Sequence, residues 1–314
     1  MAGRSMRSAS FSTDCFTFKW QGKICWASVG GKVVSGVSDE GSEDHAEAST
    51  RHFYERMDEV MRHLWGEHLH HGLWDGETED FEQAARHLVS EVGRRLRLRA
   101  GARVIDVGCG YGAAGVQLER ECGLRVEGVT ISPRQRDHAV SGARVEVGDW
   151  LAGIGDDGAA DGVIAIESLE HMADTELALR HLARVLKPGG RVVLACWVRV
   201  GNPHWLERGL LLRPIRHAGH LPGQRSEAVL LDGLRRAGFR DLERVDFSHE
   251  VARTWRACLR RGLALLRSDP GVFRRLGWIA SLKLGITVGG IVVAYHVGAL
   301  RYVVISGTRN GSAK

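Results

Sequence analysis

The chain is predicted to be an α/β protein built on a doubly wound, mostly parallel seven-stranded sheet with helical insertions. Three observations predict this. Val104-Ile105-Asp106-Val107 reads as a short buried strand that breaks into Gly108-Cys109-Gly110-Tyr111-Gly112 and passes at once into a helix-forming run, Ala113 to Glu121. A strand, a tight glycine turn and a helix N-terminus make a nucleotide-sized cradle, because glycine backbone bends sharply and the first helical turn presents unpaired N–H groups. From there to residue 197 short apolar strands alternate with helical segments, the order that lays parallel strands side by side with helices on both faces. The 314 residues, 44% of them hydrophobic, suffice for one large domain with a full core.

In chain order, residues 1–45 differ from the rest. Arg4, Arg7, Lys19, Lys23 and Lys32 face a single acid, Asp14, before Asp39, and Ser and Gly are frequent. Such a start suits an unstructured extension, the reading adopted here, and also an organellar transit segment. From residue 46 the chain reads as one domain reaching residue 308, followed by a tail, 309–314. Phe53, Met57, Val60, Met61 and Leu64 repeat at helical spacing, then the His/Trp/Gly-rich stretch His63–Gly76 reads as a loop, and Phe81, Ala84, Ala85, Leu88 and Val92 mark a second helix ending near Gly93. Strands follow at 103–106, 124–129, 144–147, 162–166 and 191–197, with a short helix from Pro133 and another from Asp174 to Leu186. Ser226 caps a helix through Ala237, Leu242–Phe247 is a sixth strand, residues 248–300 form a largely helical insertion, and Arg301–Gly307 is the last strand. The apolar run Gly277–Leu300 is long enough to span a bilayer, but the strand after it belongs to the same sheet, so it reads as a lid over an apolar substrate with peripheral membrane contact rather than as a span.

Composition narrows the function. Net charge is +5, but the basic residues are dispersed, so no nucleic-acid stripe forms. The six cysteines make no CxxC pair, which fits a reducing, cytoplasmic setting. His63, His68, His70 and His71 invite a metal reading, but no Cys or paired acid completes a ligand set, and no metal is expected.

The cradle itself suits two cofactor classes. A dinucleotide would put its pyrophosphate on the helix N-terminus, where Asp106 at the strand tip would repel it. S-adenosylmethionine (SAM) carries a sulfonium and an ammonium instead, and an acid there is useful. The other strand tips face the same crevice. Thr130, Ile131 and Ser132 lie at the second tip, at the level of a ribose, with Gln135 one turn further. Gly148, Asp149 and Trp150 lie at the third, where an adenine edge could be hydrogen-bonded and its face stacked. Ile166 and Glu167 lie at the fourth, which continues as Glu167-Ser168-Leu169-Glu170-His171-Met172. Two carboxylates and an imidazole just past a buried strand form a general acid/base array, with Glu170, His171 and Glu167 as catalytic candidates. Each has a plainer reading as well: Asp149 as a turn acid, Thr130 as a β-former, Glu170 and His171 as helix caps.

Val104–Gly112 resembles motif I of the class I SAM-dependent methyltransferases, which have a Rossmann-like sheet. Gly128-Val129-Thr130-Ile131-Ser132-Pro133-x-Gln135, Ile166–Met172, the His68–Gly72 loop, Asp246–Trp255 and Gly298–Ile305 are similar to the small-molecule branch that contains the tocopherol (γ-tocopherol) C-methyltransferases. The resemblance covers about residues 50 to 308. It implies that Asp106, Gly108, Cys109 and Gly110 hold the methionine end of SAM, Thr130 and Ser132 the ribose region, and Asp149 with Trp150 the adenine, with Tyr54 and the His70–Trp74 loop closing over the cofactor. His71, Trp74, Trp205 and Trp255 are the expected substrate-facing residues. The stretch between Pro133 and the third strand is shorter than in the family, and the Arg-rich segment after the fifth strand also departs from it.

The activity these features imply is methyl transfer, most simply to carbon, on a hydrophobic small-molecule acceptor such as a prenylated phenol or quinol, or a related isoprenoid or alkaloid, with Glu/His base assistance. An allylic diphosphate C-methyltransferase, using Arg208, Arg213 and Arg216 on the diphosphate, is an alternative. From other classes, an NAD-dependent oxidoreductase and a non-catalytic metabolite-binding protein stay open, the former opposed by Asp106 and the latter by the acids at 167 and 170.

Overall fold

A computed structural model describes residues 15–20, 23–28, 42–76, 80–201, 204–205 and 207–311. The chain divides into two compact units, Met1–His45 and Ala46–Lys314. In the first, β1 (Cys15–Trp20) and β2 (Lys23–Ser28) pair antiparallel. Most of the remaining N-terminal stretch that reads as an unstructured extension lies outside the described residues.

The second unit is the expected seven-stranded sheet. Its strands are β3 (Arg103–Val107), β4 (Arg125–Thr130), β5 (Val145–Val147), β6 (Ala160–Ile166), β7 (Leu186–Arg199), β8 (Phe239–Asp246) and β9 (Leu300–Arg309). They lie in the order β5-β4-β3-β6-β7-β9-β8, parallel from β5 to β7, with β9 running against both its neighbours. The order reverses between β3 and β6, and a doubly wound sheet opens its crevice at the carboxyl ends of such strands.

The helices are α1 (Ser42–Trp65), α2 (Phe81–Leu96), α3 (Ala113–Cys122), α4 (Pro133–Asp137), α5 (Thr175–Val185), α6 (Arg213–Ala218), α7 (Glu227–Arg236), α8 (Ser248–Ser268), α9 (Pro270–Leu276) and α10 (Trp278–His296). Alternation along the strands supplies two apolar faces. Val104, Val126, Ile164 and Val193 meet Leu88 and Val92 of α2 and Leu118 of α3, in a core that runs on to Trp255 of α8 and Ile291 of α10. Ile105, Val163 and Leu194 face the other way, onto Leu179 and Leu182 of α5 and Leu230 and Leu234 of α7.

Local signals set the helix ends. Asp80 caps α2 by accepting from Glu82 N–H, Ser132 caps α4 with Pro133 in its first turn, and Asp174 caps α5. Gly93 does not end α2, as its residue type suggests. It stays inside the helix because a Cβ there would lie 2.6 Å from Leu118 Cδ2, so its lack of side chain lets α2 approach α3. The Lys187–Gly190 run lies at the start of β7, and the expected insertion at 248–300 resolves into α8, α9 and α10.

After β7 the chain passes through a π-helical turn, Glu207–Leu212, and α6, then returns across the turn that follows β6. Gly223 N–H donates to the Glu170 carbonyl at 2.8 Å, and the Gly223 carbonyl accepts from Thr175 Oγ1 at 3.4 Å. A Cβ on Gly223 would lie 2.2 Å from the Met172 carbonyl oxygen and 2.4 Å from that of Leu169, both backbone atoms that cannot swing aside. Gly223→Ala is therefore expected to destabilise the protein by about 2–3 kcal/mol, as overpacked sites do. Denaturant melts of the variant test this, and a wild-type midpoint would show that the loop is not held as described.

Candidate active site

The cradle is built from backbone. Gly108, Gly110 and Gly112 all have positive φ (75°, 57° and 78°), which a residue with a side chain adopts only under strain. A Cβ at Gly108 would lie 2.3 Å from Ser168 Cβ, and the Ser168 hydroxyl donates to the Val107 carbonyl at 2.5 Å, which ties the β3 tip to the β6 tip. Gly108 and Cys109 N–H both donate to the Val129 carbonyl, at 2.8 and 3.0 Å, which ties it to β4. Cys109 Sγ fills the space a Cβ on Gly128 would need, and burial raises its thiol well above the ordinary range.

Asp106 is buried under this turn with one carboxylate oxygen that has no hydrogen-bond partner among the described residues. Burial alone pushes its carboxyl up to about 7. A buried acid lacking a partner is costly unless a cation meets it. The glycine turn, the open helix start and this carboxylate together fit a cofactor that carries positive charge, and they suit SAM. The cradle is closed from the other side by α1 and the loop after it. Tyr111 O–H donates to Asp58 of α1 at 2.8 Å, Asp58 also faces Arg62 and His138 at 3.2 Å each, and Leu69 lies over Gly110.

At the second tip the predicted residues come together but largely hold one another. Thr130 Oγ1 donates to Gln135 Oε1 at 2.5 Å, and Ser132 Oγ accepts from Gln135 N–H at 3.3 Å; all three are buried, and Ile131 lies half-buried between them. At the third tip Gly148 N–H donates to the Thr130 carbonyl, and Asp149 accepts from Leu151 N–H at 2.9 Å, capping a short turn and keeping its other oxygen. Trp150 corrects the sequence reading. Its ring is buried against α5 and its indole N–H donates to the Ala178 carbonyl at 3.2 Å, so it packs the core rather than offering a face to an adenine.

The fourth tip is the centre of the site. Ile166 ends β6 in the core, and Glu167 follows in the left-handed region, φ 53°, a strained backbone for a side-chain-bearing residue. Its carboxylate takes three hydrogen bonds: His71 N–H at 2.7 Å and Tyr302 O–H at 2.8 Å on Oε1, and His71 Nδ1 at 2.8 Å on Oε2. Burial alone would raise this carboxyl, but the contacts with His71 outweigh it and hold Glu167 below its usual range. The His71 ring is oriented from its other side by the Trp255 indole N–H, 2.6 Å from Nε2. An indole N–H only donates, so Nε2 accepts and the proton sits on Nδ1, facing Glu167. Rings of Trp197, Trp255, Tyr295 and Tyr302 surround His71 with centroids 5.0–5.7 Å away.

Glu170 lies one turn beyond, on the short helical turn Leu169–His171. Oε1 accepts the Trp197 backbone N–H at 2.8 Å, while Oε2 is buried with no partner among the described residues. Burial first, and then the Glu167 charge, push its carboxyl up to about 8. His171 Nδ1 lies 2.9 Å from the His220 carbonyl, which only accepts, so Nδ1 carries the proton and Nε2 accepts the Tyr54 hydroxyl at 2.8 Å. Burial lowers His171 to about 4 and raises Tyr54, so the pair is neutral.

Of the four predicted substrate-facing residues, His71 and Trp255 meet at Glu167. Trp74 is one layer out, its N–H on Thr254 Oγ1 at 2.9 Å and its face under the Arg253 guanidinium, so no face is free for a substrate. Trp205 is 72% exposed, with its ring beside that of His204. The sequence reading missed Trp197, Tyr295 and Tyr302. Tyr302 had a signal, a polar-tipped ring in an otherwise aliphatic strand, but its partner lies 135 residues away.

The Methyltransferase domain family matches residues 79–244, just over half of the chain. A 27-O-demethylrifamycin SV methyltransferase of Amycolatopsis mediterranei (strain S699) is 37% identical over 163 residues, 49% of this chain and 60% of that relative, so the match spans about three fifths of its length. A probable tocopherol O-methyltransferase, chloroplastic, of Oryza sativa subsp. japonica is 28% identical over 283 residues, 81% of this chain and 75% of the relative. Among solved structures the [4+2]-cyclase SpnF superposes with a TM-score of 0.70 at 25% identity, covering 83% of this chain and 95% of that one. The chain belongs to the methyltransferase family, and its fold and cradle place it in the SAM-dependent class.

A cationic cofactor must expel the Asp106 proton below pH 7. Affinity for S-adenosylhomocysteine, which keeps the ammonium, is then expected to weaken as pH falls below about 7, towards tenfold per unit. Calorimetry from pH 5.5 to 8 tests this; Asp106→Asn should bind more weakly and with a flat profile, and a sloped profile in that variant would assign the proton elsewhere.

Proposed function

We propose that the enzyme methylates a hydrophobic small-molecule acceptor, a prenylated phenol or quinol or a related isoprenoid or alkaloid natural product, and that the acceptor atom is carbon. The observation that carries this is the pair of carboxylates at the β6 tip, walled by aromatic rings, with opposite pKa shifts: Glu167 low and fully hydrogen-bonded, Glu170 high with one oxygen unpartnered. Carboxylates pushed apart in this way divide the structural and proton-transfer roles. The name of the rice relative points to a tocopherol-type substrate.

In this reading Asp106, Gly108, Cys109 and Gly110 hold the amino-acid end of the cofactor. Thr130, Ile131, Ser132 and Gln135 shape the ribose side, Gly148 and Asp149 the adenine side, and Tyr54 covers the site. SAM supplies an already activated sulfonium methyl. The protein aligns the acceptor, excludes water and removes a proton. Glu170, once ionised, takes that proton on its free oxygen. His171 acts through Tyr54, whose hydroxyl it holds, and so can draw a proton from an acceptor hydroxyl beside it. If the acceptor is an alkene, the rings around His71 stabilise the cation formed on it and Glu170 quenches that cation.

For the allylic diphosphate alternative, Arg208, Arg213 and Arg216, all three exposed, are the anchors. The cyclase neighbour shows that methyl transfer itself has to be measured. A screen of prenylated phenols and quinols, terpenyl diphosphates and alkaloids with SAM is expected to return a one-methyl mass gain on an apolar acceptor. With that acceptor kcat should rise through about pH 8. Glu170→Gln should lower kcat about 10²- to 10⁴-fold while S-adenosylhomocysteine binding is kept. Full turnover in both Glu170→Gln and His171→Ala would remove the proton-transfer assignment.

A further inference from the structure

We propose that α10 docks this enzyme on an anionic membrane surface. α10 is strongly apolar, Lys283 being the one Lys, Arg, Asp or Glu in its 19 residues, and a helix of that kind is normally buried. Here only one side is covered. Val288, Ile291, Ala294 and Tyr295 are buried, and Tyr295 reaches the His71 ring at the active site. Trp278, Ile279, Leu282, Ile286, Val293 and Val297 are exposed, Trp278 by 75% and Ile286 by 65%. At about 100° per residue these six fall within a single stripe about 100° wide, and the four buried positions fall on the opposite side. The stripe is therefore one continuous apolar face left open by the fold.

The geometry excludes the same helix as a span. Its 19 residues would reach about 28 Å, but four residues after His296 the chain enters β9, which is hydrogen-bonded between β7 and β8. α10 can only lie flat, its open side outward, as interfacial helices do.

Charge selects the occupant. Residues 251–300 hold seven Arg and one Lys against a single acid, Asp269, a net +7 where the whole chain is +5. Arg256, Arg260, Arg267, Arg274 and Lys283 are exposed. A second copy of the chain on this face would oppose cation to cation, whereas anionic headgroups would pair with the cations while the stripe enters the acyl boundary. Trp278, beside Arg274 and Arg275, is placed as interfacial tryptophans are. The proposal rests on the apolar-acceptor reading only for its purpose, delivery of an acceptor dissolved in lipid along a helix whose inner side lines the site.

Vesicle flotation tests it without any turnover, so its failure and that of the acceptor reading are distinguishable. Wild-type protein should float with phosphatidylcholine vesicles containing phosphatidylglycerol, be released by high salt, and stay behind with phosphatidylcholine alone. Leu282→Glu/Ile286→Glu and Arg274→Glu/Lys283→Glu should each lower the partition about tenfold or more. Both should keep the wild-type melting midpoint and S-adenosylhomocysteine affinity, which shows that they fold. Wild-type protein that stays in solution with anionic vesicles, or equal flotation of the variants, overturns the proposal. So does light scattering that finds a wild-type dimer which Leu282→Glu/Ile286→Glu dissociates, because the stripe is then covered by a second copy.

Discussion

The elements that close the crevice meet on one buried carboxylate. Glu167 is held at the end of β6 in a left-handed conformation, and its two oxygens accept from His71 of the loop between α1 and α2 and from Tyr302 of β9. Through the His71 ring the same carboxylate reaches Trp255 of α8 and Tyr295 of α10. Leaving one of these buried hydrogen-bonding groups without its partner costs about 1–3 kcal/mol, and more where the group left over is the carboxylate itself. The backbone strain at Glu167 costs about 1–3 kcal/mol and persists because three donors reward it. The loop and the helical insertion are thus tied to the sheet by polar geometry, and the apolar rings around His71 keep water from competing for those bonds.

That arrangement explains how the insertion can carry an unusual surface. Thr254 on the same α8 accepts from both Gly72 N–H and Trp74 Nε1, and Val251, Trp255 and Cys258 fill the core beneath. The inner face of the insertion is fixed by these contacts. The outer face of α10 leaves Trp278, Ile279, Leu282 and Ile286 exposed.

The sheet was legible in the sequence because its signals are local: short apolar strands alternating with helical runs, a proline in the first turn of α4, and a glycine run with an acid two residues before it. Asp106, Glu167 and Glu170 could be singled out as candidates because each lies at or just past the end of a short strand. Other assignments failed for a shared reason. Trp150 and Trp74 look like stacking platforms in a loop, but a buried indole must place its N–H, and the Ala178 carbonyl and the Thr254 hydroxyl that receive those protons are far along the chain. Trp197, Tyr295 and Tyr302 were missed for the converse reason. Each sits in an apolar element and becomes part of the site only when β7, α10 and β9 converge on His71.

The two glutamates of the β6 tip then divide along a physical line. Both are buried, and burial drives both towards the neutral form. Glu167 escapes because its contacts with His71, whose Nδ1 and backbone N–H reach one oxygen each, outweigh burial. Once it is ionised, its charge adds to the burial already acting on Glu170, whose backbone donors, its own N–H and that of Trp197, are too little to offset them. Glu170 is left a neutral acid near pH 7 with one oxygen free. The sign has a consequence for the fold. A carboxyl raised to about 8 favours the folded state fully below the ordinary value of 4.5 and loses that contribution as pH rises to 8. The same proton that stabilises the resting enzyme must leave before Glu170 can accept one, so the pH range that serves proton abstraction is the range in which this corner of the site is held least firmly.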